Sequence, residues 1–317
     1  MEVSVCVTVL NAEAHIRNLL ESLVHQTRKP AEIVVVDRGS TDRTKSIVLY
    51  YANKYKRMHI KLIDRECSVG EGKNIAVESS MFDIIVLTQV DCVPDQDWLE
   101  KLTNPFRRVL TEVSWSSCRA CSRSNSDLAK VYNAVSSLNL FGWGKDFLQS
   151  TRSIAFKRFV FEKASGFQPV DDEYLSDVLF IDSLLAHSAL TVKVEDALIE
   201  RIYPSALKQI LMDTFRFSLA VFRSNVWRSF RNNFGSYTVE VALKVLYYSF
   251  LFFLTLKPFE GLYPVFLAIG IIYLAYFFYK VYTLERNMKL ALMSIPLRVL
   301  CDIYSIRGAL FWALKRK

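Results

Sequence analysis

Paired cysteines are missing from this sequence. The six that are present, Cys6, Cys67, Cys92, Cys118, Cys121 and Cys301, are scattered without the spacing of a disulfide framework, which predicts reduced thiols. Cys118 and Cys121 form one CxxC, but neither a second CxxC nor an HxxxH completes the set of about four ligands that a zinc site needs. RNA- and DNA-binding motifs are also absent, so nucleic acid is not an expected partner. The first strand-to-helix turn, Leu10-Asn11-Ala12-Glu13, has no glycine-rich phosphate loop, which speaks against a nucleotidyltransferase. No Ser-His-Asp arrangement is evident. Met1-Glu2-Val3-Ser4-Val5 runs straight into a strand, so no signal peptide is expected.

What the chain has in excess is apolar surface and positive charge. Its 317 residues leave room for one large catalytic domain and an appendage. Hydrophobic residues make up 51% and aromatics 13%, and the excess is concentrated after about residue 240, which points to a membrane segment. The formal net charge is +8, with basic residues crowded into the last third. That distribution suits an anionic lipid surface or an anionic substrate.

The first 200 residues read as alternating strands and helices, hence an α/β fold with a parallel sheet. Residues 3–10 predict a strand and residues 12–25 a helix with Ile16, Leu19, Leu20 and Leu23 on one face. Glu32-Ile33-Val34-Val35-Val36-Asp37 predicts a buried parallel strand, and Ser40, Thr41 or Asp42 can cap the helix over 43–54. Further strands are expected at 59–63 and 83–87. Ser68-Val69-Gly70-Glu71-Gly72-Lys73-Asn74 reads as a loop opening a helix to Ser80, a place where phosphate or a base edge could bind. Open α/β sheets bind ligands at the carboxyl ends of their strands. Asp37 stands at one such end and Asp91 at another. Together they favour a nucleotide site, one carboxylate reading the base or ribose and the other holding a divalent metal.

These stretches resemble family 2 glycosyltransferases of the GT-A fold, a Rossmann-like nucleotide-diphospho-sugar transferase domain. The resemblance rests on 3–11, 35–42, 70–74 and 88–99, and continues through 155–158 and 165–167 to Ser176-Asp177. It implies that Thr8 and Asp37 contact the nucleotide base, and that Lys73, Asn74 and Gln89 belong to the nucleotide-sugar site. It implies that Asp91 is the last acid of an Asp-x-Asp motif and binds Mg2+ or Mn2+. The first acid of that motif is Gln89 here, and Arg38 and Ser176 also depart from the family pattern. Asp177 would be the general base that deprotonates the acceptor hydroxyl, with Asp172 and Glu173 in reserve. Trp143, in the 142–145 loop, reads equally as the floor of a sugar or lipid site and as a core anchor.

Residues 204–234 predict a basic amphipathic helix, with Leu207, Leu211, Phe215, Leu219 and Phe222 recurring at three- and four-residue steps. It suits an anionic membrane surface or a face of the enzyme domain, and Arg216 is a candidate for an acceptor phosphate. Residues 241–256 and 261–279 predict a transmembrane hairpin with both ends cytoplasmic, or a re-entrant one, and 290–313 predict interfacial helices. The expected domains are 1–203, 204–236, 237–280 and 281–317. The whole reads as a multi-pass membrane glycosyltransferase with a cytoplasmic catalytic domain. Its partners would be a nucleotide-sugar donor, the membrane and a lipid-linked acceptor such as polyprenyl (dolichyl) phosphate or a lipid-linked saccharide. A homo-oligomer stays open. The rival readings are a noncatalytic scaffold or regulator and, less favoured, a nucleotidyltransferase.

Overall fold

A computed structural model describes residues 1–108, 110–116, 118–120, 126–136, 151–188, 190–202, 205–224, 234–253 and 263–315. The expected loop around Trp143, the CxxC residue Cys121 and the turn between the two apolar segments lie outside them. The chain divides into two compact units, 1–121 with 148–202, and 122–147 with 203–317.

The first unit runs β1 (Val3–Val9), α1 (Ile16–Val24), β2 (Glu32–Asp37), α2 (Thr44–Lys54), β3 (Ile60–Asp64), α3 (Val69–Glu78) and β4 (Ile84–Leu87). These are the βα repeats expected from the sequence. Strands β3, β2, β1 and β4 pair in parallel, in that order. Ile33, Val34, Val35 and Val36 have no exposure at all, because helices cover both faces of a parallel sheet. α1 buries Ile16, Leu19, Leu20 and Leu23 against this sheet's core, the face its periodicity predicted.

The unit continues through β5 (Cys92–Pro94), α4 (Trp98–Thr103), β6 (Val113–Trp115) and β7 (Cys118–Ala120). In the second unit lies α5 (Asp127–Ser136); the first then resumes with β8 (Ile154–Lys157), α6 (Arg158–Lys163), α7 (Glu173–His187), β9 (Thr191–Lys193) and β10 (Ile199–Arg201). β8 extends the main sheet antiparallel to β4, followed by β6 and β9, giving seven strands. A second sheet of three strands has the order β5-β10-β7, which sets Arg201 opposite Cys92, the residue after Asp91.

One local expectation changes, and the setting of Asp177 becomes clear. The 68–74 stretch is not a loop but the start of α3 itself. Ser68 and Glu71 close a capping box, Ser68 N donating to Glu71 Oε2 (2.9 Å) and Glu71 N to Ser68 Oγ (3.3 Å). The helix therefore satisfies two of its own terminal donors, which a phosphate would otherwise take. Gly70 is required there by packing: a Cβ would fall 1.8 Å from the Gln168 carbonyl oxygen. The residues around Asp177 belong to α7, which begins at Glu173, with Asp172 Oδ1 accepting from Leu175 N (3.1 Å). Asp177 is thus an interior residue of α7.

The second unit holds α5 together with α8 (Leu207–Arg223), α9 (Phe234–Phe253), α10 (Tyr263–Glu285) and α11 (Met288–Lys315). Val131, Val135, Ile210, Leu211, Val281, Leu290 and Leu297 share its core. Lys208, Arg216 and Arg223 of α8 face outward, with Ile210, Leu211, Val221 and Phe222 buried on the other side. Among the described residues one helix, over Leu267–Glu285, is long and apolar enough to cross a membrane by length and composition. The other expected span, 241–256, runs past the described end of α9. α9 carries Lys244, whose buried ammonium lies 3.0 Å from Asp302 Oδ1 on α11, and Arg298 Nε lies 3.3 Å from the same oxygen. Tyr273 OH donates to Asp302 Oδ2 (2.6 Å). A charge set inside a helical unit needs such partners, because an unpaired one would carry its full desolvation penalty.

Candidate active site

Thr8, Asp37, Gln89 and Asp91 lie at or just past the carboxyl ends of β1, β2 and β4. Adjacent strands lie about 4.8 Å apart, so the ends of β2 and β4 are about 10 Å apart, roughly the span of a nucleotide base and ribose. Asp37 closes β2 and is fully buried. Its Oδ1 accepts from Gly39 N (3.0 Å) and Ser40 N (2.6 Å), which ties the following turn to the strand end. Its Oδ2 is buried with no hydrogen-bond partner among the described residues, as are Arg38 Nε, Thr88 Oγ1 and Ser176 Oγ. Leaving a buried polar atom unpaired costs about 1–3 kcal/mol. Several such atoms near strand ends suit the recognition of a polar ligand.

Thr8 of β1 and Arg38 converge on Gly72 of α3. A Cβ on Gly72 would stand 3.1 Å from Arg38 Cδ and 3.2 Å from Thr8 Cγ2, so the glycine keeps this contact open. Arg38 Nη1 reaches 4.0 Å from Asp171 Oδ1, an exposed carboxylate.

A second cluster surrounds Asp177. Lys73 Nζ lies 2.6 Å from Asp177 Oδ1, and the two side chains are 5% and 2% exposed. Thr151 Oγ1 (2.9 Å) and Thr151 N (3.1 Å) also donate to this carboxylate, as does Gln89 Nε2 (3.3 Å). Glu173, one turn earlier on α7, places Oε1 3.9 Å from Lys73 Nζ with its side chain 43% exposed. Lys73, Gln89 and Asp177 are therefore brought together. Asn74 instead clips the 166–167 turn to α3, its Nδ2 donating to Phe167 O (2.8 Å) and its Oδ1 accepting from Phe167 N (2.7 Å). Arg216 lies on the exposed side of α8 in the second unit.

Asp91 forms the third cluster, with two residues that sequence reasoning missed. Arg201 Nε donates to Asp91 Oδ2 (3.0 Å), and Arg152 Nε lies 3.4 Å from both carboxylate oxygens. Ile202 N donates to Asp91 O (2.7 Å), fastening the end of β10 to this loop. Burial alone would raise the Asp91 carboxyl above its ordinary value. The fields of Arg152 and Arg201, with the Arg201 hydrogen bond, outweigh it and bring it down to about 2. Only the 92–201 strand pairing and the turn before β8 deliver these arginines, and no local pattern marks either one.

The donor set around Asp91 does not fit a divalent cation in this arrangement. Mg2+ often uses one or two carboxylates plus phosphates, so a lone carboxylate could suffice if it were available. Here it is shared by two guanidinium groups, and Gln89 brings no charge. At an effective dielectric near 20, an ion about 2.2 Å from one carboxylate gains about 15 kcal/mol, and loses about 7 kcal/mol to each guanidinium about 5 Å away. Before any phosphate is counted, the repulsions cancel nearly all of the attraction, so the protein itself contributes little to replace the ion's hydration. Among the described residues no group of three or more His, Cys, Asp or Glu stands where it could hold a metal.

Comparison with known proteins agrees with the fold. A mannosyltransferase from Pyrobaculum calidifontis, solved in complex with GDP-Man and Mn2+, aligns over all of this chain and 88% of its own, with a TM-score of 0.63 and 18% identity. Staphylococcus aureus TarS residues 1–349, in complex with UDP-GlcNAc, align over 99% of this chain and 92% of that one, with a TM-score of 0.52 and 15% identity. By sequence, the glycosyltransferase AglE of Haloferax volcanii is 33% identical over 101 residues, 31% of this chain and 33% of AglE. The Bacillus subtilis protein EpsH, a glycosyltransferase in name, is 34% identical over 101 residues, 31% of this chain and 27% of its own. The chain thus spans about a third of the length of these curated relatives. The family model for glycosyl transferase family 2 matches residues 4–175, more than half of the chain, and the chain belongs to that family.

Proposed function

We propose that this chain is an inverting glycosyltransferase that moves a sugar from a nucleoside-diphosphate donor to a lipid-linked acceptor at the cytoplasmic face of a membrane. The observation that carries the donor reading is the buried, unpartnered Oδ2 of Asp37 at the end of β2, beside Thr8 and Arg38. A carboxylate oxygen there accepts from an N–H of a uracil or guanine edge, and a nucleotide supplies the bond the fold leaves unmade.

In the reaction, the acceptor oxygen attacks the anomeric carbon from the face opposite the leaving group. The new C–O bond forms as the bond from that carbon to the diphosphate breaks, and its electron pair departs on the phosphate oxygen. The acceptor proton passes to a carboxylate. Asp177 is the reading that family membership favours, and the Lys73 ammonium and Thr151 hold its side chain in place. Glu173 is a second reading, favoured by its 43% exposed side chain on the same helix one turn earlier. An acceptor hydroxyl can reach it without displacing Lys73.

The acceptor reading rests on the second unit. Leu267, Ile269, Ile271 and Ile272 of α10 are exposed at 44%, 48%, 58% and 69% in the apolar candidate span. Lys208, Arg216 and Arg223 stand outward on α8, and Arg216 is our candidate for an acceptor phosphate. Apolar helix surface with a basic face suits lipid carrying a phosphate.

The test is a donor screen on the purified chain with UDP- and GDP-sugars and a membrane lipid extract. We expect release of free nucleoside diphosphate and labelled lipid from one donor, lost in Asp37→Ala. Asp177→Asn and Glu173→Gln separate the two base readings by which one abolishes turnover. Absence of turnover with every donor, or wild-type turnover in Asp37→Ala, would overturn the proposal in favour of a scaffold.

A further inference from the structure

We infer that Arg152 and Arg201 neutralise the donor's diphosphate, so that donor binding by this chain needs no divalent cation. The inference rests on the nucleotide-donor reading above and concerns how the same site handles charge.

Both guanidinium groups are set on one carboxylate from distant parts of the first unit. Arg201 ends β10, and Arg152 precedes β8 directly after Thr151, which holds Asp177. Their side chains are 15% and 7% exposed, so their charge is poorly screened. Arginine stays protonated at any working pH, and its planar fork matches phosphate oxygens. Asp91 lies between the two, offsetting their mutual repulsion and fixing their orientation.

The charges nearby support the same conclusion. Lys73, Arg152 and Arg201 are balanced by Asp91, Glu173 and Asp177. Around Asp91 and Asp177, then, cations and carboxylates are equal in number, and Asp91, the acid nearest both arginines, is the one they share. Gln89 fits this balance, because an acid there would repel a diphosphate arriving without metal. Its amide instead donates to Asp177. As the bond to the sugar breaks, negative charge grows on the leaving phosphate, and guanidinium groups fixed beforehand stabilise it without rearranging.

The test measures binding of UDP and of GDP to the purified full chain by calorimetry, in EDTA and again with Mn2+. We expect the nucleotide that binds to do so in EDTA within about threefold of its affinity in Mn2+. Arg201→Gln and Arg152→Gln should each weaken binding in EDTA by about tenfold to a hundredfold, the worth of a charge-assisted hydrogen bond, with Arg201→Lys falling between. A loss of more than about tenfold for the wild type in EDTA would overturn the inference while leaving the donor reading intact. Binding of neither nucleotide in either condition would overturn both. The wild-type arm decides the matter even if an arginine variant fails to fold.

Discussion

Replacing Lys73 by methionine keeps the length of the side chain and removes the cation that faces Asp177. The wild-type ion pair is 2.6 Å long between side chains 5% and 2% exposed, so water does not screen it. Removing one partner of a buried pair costs about 3–5 kcal/mol, because the other charge stays buried. Thr151 N, Thr151 Oγ1 and Gln89 Nε2 still donate to Asp177. Three remaining bonds at about 1 kcal/mol each place the expected loss near the lower limit, about 3 kcal/mol. That is a large share of the roughly 5–15 kcal/mol by which domains are stable. With a urea slope of about 2–3 kcal/mol per molar, the midpoint should fall by about 1 M. Urea titration followed by tryptophan fluorescence and circular dichroism reads this shift. The double variant Lys73→Met with Asp177→Leu removes both charges and should be no less stable than Lys73→Met alone. A shift below about 0.3 M, or strict additivity of the two substitutions, would refute the reasoning.

Two further predictions concern stability. The Asp91 carboxyl is brought from 3.8 to about 2, so its contribution is complete above about pH 4 and is lost as pH falls through about 2. Its full worth is about 2 kcal/mol, and the stability difference between wild type and Asp91→Asn should shrink by about 1 kcal/mol between about pH 6 and pH 3. Denaturant midpoints at the two pH values check this, and an unchanged difference would contradict it. Gly70→Ala would ordinarily favour a helix by about 1 kcal/mol, but here a Cβ would meet the Gln168 carbonyl at 1.8 Å. We expect a net loss of about 2–3 kcal/mol and a lower thermal midpoint, since backbone on both sides must move. A higher midpoint by calorimetry would show that the α3–168 contact gives way more easily than the packing implies.

Much of the fold was legible because it depends on local patterns. The β-branched run ending on Asp37 is a strand buried on both faces, and Ile16, Leu19, Leu20 and Leu23 form the buried stripe of α1. The capping box Ser68-Val69-Gly70-Glu71 was also written in the sequence, and reading it would have placed the 68–74 stretch inside α3. Apolar composition was a weaker guide after residue 240. It suggested two spans; the described residues hold one qualifying helix and only part of the other segment, and it gave no sign that Lys244 and Arg298 share Asp302. Hydropathy reads each segment alone, whereas this charge cluster is assembled from α9 and α11.

The sequence by itself determined the order of strands and helices, the position of Asp37 and Asp91 at strand ends, and membership of the family. These follow from side-chain periodicity and turn chemistry, which act over a few residues. Only the tertiary structure decided what each acid touches. Asp177 meets Lys73 across 104 residues of chain, and Asp91 meets Arg152 across 61 and Arg201 across 110. Such pairs are created by strand order and helix packing, and a charge falls off within Debye-length distances in space with no regard to distance along the chain. That is why the contacts of Asp91 with Arg152 and Arg201 could not be read along the chain.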